Sequence, residues 1–222
     1  MRQVIQKLFC APAALLVALG LTGSQAFADI VGSVHDFSNS GFSGGEICVV
    51  CHTTHHADTS VTEAPLWNHE LTSQTFAMYS SPTMDAARDA QPTGSSKLCL
   101  SCHDGATAVD AYGGKPGSIF LTGPTAVGAN DDLTDDHPIS ITYDGALAVT
   151  DPGLHDPTQQ TVTIGSGNKS RTGLVSELMT PAGKLQCSSC HDVHNTFVAG
   201  NNRFLLMLPK SGSQICLACH DK

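Results

Sequence analysis

Eight of the nine cysteines fall in four copies of one five-residue motif, C-x-x-C-H. The copies are Cys48-Val49-Val50-Cys51-His52, Cys99-Leu100-Ser101-Cys102-His103, Cys187-Ser188-Ser189-Cys190-His191 and Cys216-Leu217-Ala218-Cys219-His220. Two cysteines three apart are neighbours on one helical turn. Each can form a thioether to one vinyl group of a haem, and the adjacent histidine reaches the iron from the same side. This spacing reads as covalent c-type haem attachment, which predicts four haems c. A disulfide framework needs no histidine after every second cysteine. Structural zinc does not demand that histidine four times over either. A redox C-x-x-C occurs once, beside a βαβ pattern.

The first and third copies continue as C-H-x-x-H, ending at His55 and His194. The second and fourth share the pattern C-L-x-C-H-D. This alternation is an internal repeat of a haem pair, with a long insertion between residues 104 and 186. Of the eleven histidines, His52, His103, His191 and His220 are the expected proximal iron ligands. Seven remain for distal positions. His55 and His194 lie one turn beyond a proximal histidine, so each can reach a neighbouring haem but not its own. His69 follows the lone tryptophan, Trp67, and His137 sits between Asp136 and Pro138. These four are the expected distal ligands, with His35 next in line. His56 and His155 read as loop residues. Met78, Met84, Met179 and Met207 read as packing against haem or core, since histidines suffice.

The elements that must position these residues are short. Only 14% of residues are charged and 41% are apolar, with 21 Gly, 11 Pro and 5% aromatics. That composition predicts a mostly irregular, loop-rich multihaem cytochrome c with short helices and a small β-hairpin, its core supplied by haem. Without haem the chain is expected to be largely unfolded. Helical turns should carry the C-x-x-C-H motifs, with further helices around Thr72–Tyr79 and Met84–Ala90. Residues 139–143 and 161–164 alternate like strands. Residues 1–28 read as a cleaved signal peptide, with basic Arg2 and Lys7, an apolar run from Ala11 to Leu21 and Ala26-Phe27-Ala28 as the cleavage site. Cys10 leaves with it, and residues 29–222 form a single exported tetrahaem domain of two halves, 29–136 and 137–222. No other stretch is long and apolar enough to span a membrane. Loss of two cations with the leader takes the formal charge from −9 to −11. This acidity argues against a nucleic-acid partner.

The odd–even alternation, together with Leu66-Trp67-Asn68-His69 and Asp136-His137-Pro138, resembles the doubled C-x-x-C-H multihaem cytochromes of dissimilatory metal-reducing bacteria. The likeness is to the nanowire-forming, OmcE-type tetrahaem outer-surface cytochromes of Geobacter, and it runs over the whole of residues 29–222. The resemblance implies an extracellular electron carrier that is not an enzyme and polymerises head-to-tail with a continuous haem stack. Its partners would be copies of itself, redox partner cytochromes and external acceptors such as Fe(III) and Mn(IV) oxides. It further implies that His55 ligates a haem of the adjacent copy. The doubled His55-His56 departs from the single histidine of a hexahaem relative, so either residue could form that bond. A monomeric periplasmic or outer-surface shuttle is the alternative. A multihaem reductase of a small oxyanion would need an open iron position and a cationic pocket, and no Arg/Lys cluster surrounds any motif.

Overall fold

Each C-x-x-C-H motif closes a helical turn. The histidine N–H donates to the carbonyl of the first cysteine at 2.8 Å for His52, 3.0 Å for His191 and 2.9 Å for His220. The computed structural model describes residues 29–180, 182–198 and 203–222, so the expected signal peptide lies outside the described residues. The second motif ends helix α1, Gly94–His103. The third lies on a 3-10 turn, Cys187–Ser189, and the fourth begins in α3, Gln214–Leu217. Between the second and third motifs, α2 spans Gly145–Thr150, where the Asp144 carboxylate accepts the Leu147 N–H at 2.9 Å and so caps the helix.

The sheets are small and local. Strand β1 (Ala77–Met78) pairs in parallel with β2 (Asp132–Leu133). Strand β3 (Ile141–Thr142) pairs antiparallel with β6 (Lys184–Leu185). Strands β4 (Thr161–Ile164) and β5 (Arg171–Leu174) form the one four-residue hairpin among the described residues. The loop-rich architecture and the strands within 139–143 and at 161–164 agree with the sequence. The helices expected over 72–79 and 84–90 are absent. Over 72–79 the amides find side chains, with Thr72 N–H donating to Ser101 Oγ at 3.0 Å and Phe76 N–H to Gln91 Oε1 at 2.8 Å, and in 84–90 Asp89 N–H donates to the distant Ser140 O at 2.9 Å. A backbone so satisfied gains nothing by coiling. Among the described residues no helix is long and apolar enough to cross a membrane.

The first and third motifs sit on duplicated scaffolds offset by 139 residues, Cys48 against Cys187. In one copy Thr53 N–H donates to Leu66 O and Asn68 N–H to Cys51 O. In the other, Asp192 N–H donates to Leu205 O and Met207 N–H to Cys190 O. Isolated bridges join His52 to Trp67 and His191 to Leu206. Even the backbone signs repeat, with φ of 53° at Leu66 and 54° at Leu205, and 57° at both His56 and Asn195.

Apolar burial is split into several clusters. One gathers Ile141, Tyr143, Leu147, Val175, Met179 and Leu185; another centres on Phe76, Met78, Leu100 and Leu133. A polar seam joins the two halves. Gln186, 2% exposed, accepts from Ser140 Oγ at 3.0 Å and donates to Thr93 Oγ1 at 3.2 Å. Beside it Ser95 and Ser188 hydroxyls meet at 2.6 Å, and Cys187 N–H donates to the fully buried Ser96 Oγ at 3.0 Å. These small residues let α1 approach the third motif closely. Gln186→Leu keeps the volume but orphans both partners, and is expected to cost about 1–3 kcal/mol for each orphaned group. Thermal unfolding of the haem-loaded protein reads this as a lowered midpoint with an unchanged visible spectrum.

Candidate haem centres

The four motifs follow one another in space in sequence order. Cys51 lies near Cys102, Cys99 against Cys187, and Cys190 near Cys219. None of the eight described cysteines is in a disulfide. Burial, with Cys48 nearby, pushes the Cys51 thiol up to about 11. Burial does the same for Cys190 and Cys219, each to about 11, and raises Cys102 further. The hydrogen bond to Cys187 and burial together raise Cys99. Among the described residues no three His, Cys, Asp or Glu side chains converge as a bare ion would require.

The histidines show a different order. His52 faces His194 with ring centroids 6.2 Å apart, His35 faces His103 at 6.1 Å, and His137 faces His220 at 6.4 Å. Two imidazoles bound through Nε2 on opposite sides of one first-row metal have centroids about 6.4 Å apart, with each nitrogen about 2 Å from the ion and about 1.2 Å from its ring centre. Three proximal histidines therefore stand at iron-spanning distance from a second imidazole. The residues fit axial ligation of c-type haem.

The outer ring nitrogens support this reading. His52 Nδ1 lies 2.8 Å from Pro65 O, His103 Nδ1 2.6 Å from Thr125 O, and His191 Nδ1 2.6 Å from Phe204 O. An Nδ1–H held by a carbonyl fixes the tautomer and turns Nε2 toward the metal. Pro65 and Phe204 are both 13 residues beyond their histidine, as the duplication requires. Burial, with His103, His191 and His194 nearby, holds His35 at about 4, so its imidazole is neutral at pH 7, the form that ligates metal. Cys190 and Cys219 border an apolar recess lined also by Met179, Met207, Leu208 and Ile215.

The distal candidates divide. His194 and His137 each face a proximal histidine, and so does His35, which sequence ranked behind His69. Among the described residues His69 faces no second imidazole, though its Nε2 lies 3.4 Å from Cys102 Sγ. It is 2% exposed, its Nδ1 lies 2.8 Å from Glu70 O and its Nε2 3.1 Å from Val109 O. The 139-residue offset explains why: His69 corresponds to Leu208, a buried core residue. His55 and His56 are exposed, and His155 N–H donates to Cys219 O at 2.8 Å. His191 has no in-chain imidazole across from it among the described residues. Met78, Met179 and Met207 are buried in hydrophobic clusters, with Met84 packed against one of them.

Residues 180–222, which hold the third and fourth motifs, match a family model described as the doubled CXXCH motif. No curated protein matches the chain. The match supports a multihaem c-type cytochrome-like protein that binds haem covalently and carries electrons.

The pairs make a spectroscopic prediction. In the haem-loaded protein His137→Ala is expected to convert one haem from low spin to an open, carbon monoxide-binding form. His69→Leu, which copies the equivalent position in the other half, is expected to leave every haem low spin. Electron paramagnetic resonance of the oxidised variants checks both.

Proposed function

We propose that residues 29–222 form one exported domain carrying four haems c, each with two axial histidines, and that it conducts electrons as the repeating unit of a head-to-tail filament at the cell surface. The observation that carries this reading is the set of three imidazole pairs at iron-spanning separation. When bound, haem supplies a one-electron Fe(III)/Fe(II) couple. The cysteines fix each group at the end of a helical turn, and the Nδ1 contacts fix the proximal imidazoles. Two histidines per iron leave no position open for a substrate, which favours a carrier over a reductase.

The duplication supports the filament. His194 of the second half faces His52 of the first. Its equivalent in the first half is His55, and the equivalent of His52 is His191, which has no in-chain imidazole partner among the described residues. The same contact repeated between copies sets His55 of one copy on the haem of His191 in the next. His56 corresponds to Asn195, so of the doubled histidines His55 is the ligand. Such a contact is heterologous and does not close, and therefore propagates. The likeness to OmcE-type cytochromes points the same way, as does an acidic surface suited to oxidised metals or basic redox partners such as other cytochromes. Fe(III) and Mn(IV) oxides are the acceptors this reading implies.

Electron microscopy of protein sheared from cells tests the assembly. His56→Ala is expected to form filaments like the parent, and His55→Ala only discrete particles, with mass spectrometry giving four haems on both. Ordinary filaments from His55→Ala would remove His55 from the junction.

A further inference from the structure

We infer that the haem held between His103 and His35 is the most easily reduced of the four, because His35 presents an axial imidazole whose outer nitrogen has no hydrogen-bond acceptor. This rests on the ligand pairs proposed above. His35 Nδ1 is buried and has no partner among the described residues. Of the other candidate ligands, His52, His103, His191 and His137 each set Nδ1 against a backbone carbonyl, at 2.6 to 3.0 Å, while His194 is exposed and His220 half-buried, so the orphaned nitrogen of His35 is distinguished by its burial.

The neighbouring carboxylate is the obvious acceptor, and it is committed elsewhere. Asp36 Oδ2 accepts from Gly32 N–H at 2.7 Å, while Oδ1 accepts from Ser38 N–H at 3.0 Å and from the Ser38 hydroxyl at 2.6 Å. Phe37 sets its ring 6.3 Å from the imidazole at 86°, an apolar edge in place of a polar one. Ser33 Oγ accepts the His35 backbone N–H at 3.2 Å.

The consequence follows from ligand basicity. An Nδ1–H that donates to a carbonyl makes the imidazole a stronger electron donor and stabilises the ferric ion. Withholding that acceptor removes stabilisation from the more positive state and raises the potential. Burial of the ring acts in the same direction, because a buried site disfavours net positive charge. His191 and His194, ligand candidates of the two neighbouring haems, also lie close enough to His35 to affect its charge. Oxidised irons on both sides would therefore repel a further positive charge there. Reduction adds one electron at the iron, and His35 keeps its proton and its bonds. Electrons entering the chain would rest first at the second motif, inside the unit rather than at its junction.

An electron paramagnetic resonance redox titration of the haem-loaded protein tests this. The facing rings meet at 14°, 53° and 71° in the three pairs, so their low-spin signals are expected to differ. His35→Met marks the relevant signal by removing it. Where that variant fails to carry four haems, His35→Lys marks the same signal. The marked signal is expected to disappear first as the potential is lowered. If another signal disappears earlier, the tuning is overturned while the ligand pair stands. If neither variant alters any signal, the pair itself is wrong and the inference falls with it.

Discussion

Two imidazoles that share one iron must stand at a fixed separation on opposite faces of a planar ring, and the arrangement of this chain follows from that constraint. One imidazole of each pair is set by its C-x-x-C-H turn. The other must come from elsewhere in the sequence, so segments far apart are drawn together at each site. His35 meets His103, His137 meets His220, and His194 reaches back to His52. The backbone accepts strain to hold the geometry. Leu66 and Leu205 both take positive φ, at roughly 1–2 kcal/mol each. In doing so they carry the carbonyls of Pro65 and Phe204 to the outer nitrogens of His52 and His191. Long helices and broad sheets would obstruct such meetings. Short turns, two-residue strands and bonds between side chain and backbone allow them.

The duplication gives the unit its polarity. Equivalent scaffolds carry the first and third motifs, yet their distal histidines differ in circumstance. His194 faces His52 within the chain, whereas His55 is exposed and His191 has no in-chain imidazole opposite it among the described residues. On the proposed reading, this unmatched donor and acceptor meet between copies of a repeating assembly. The serine-lined contact of α1 with the third motif then matters for function as well as stability, since it brings Cys99 against Cys187 at the boundary between the halves. Close approach of the thioether sites there shortens the step that an electron must make between them.

The attachment motifs stand out in the sequence because c-type attachment is local. Both cysteines and the proximal histidine lie within one turn, so spacing alone identifies them. The loop-rich fold followed from low charge and many Gly and Pro residues, and β3 and β4 from period-two alternation. Distal ligation is not local. His69, beside Trp67, looked like a ligand because an aromatic neighbour suggests a covered haem edge. Its position in the repeat is that of Leu208, and the offset between the halves was the signal that could have separated it from His35. The helices expected over 72–79 and 84–90 were missed for a related reason. Ser101 and Gln91 satisfy amides at Thr72 and Phe76, and the Ser140 carbonyl that at Asp89, each from a distance.

In the proposed filament, one iron of the four depends on a second copy for its sixth ligand. Carbon monoxide titration of the reduced, haem-loaded protein measures open positions directly, in single chains and in the assembly. The account predicts one molecule bound per single chain, at the haem of His191, and none once the chains assemble. Binding at no haem of the single chain, or equal binding before and after assembly, would contradict it.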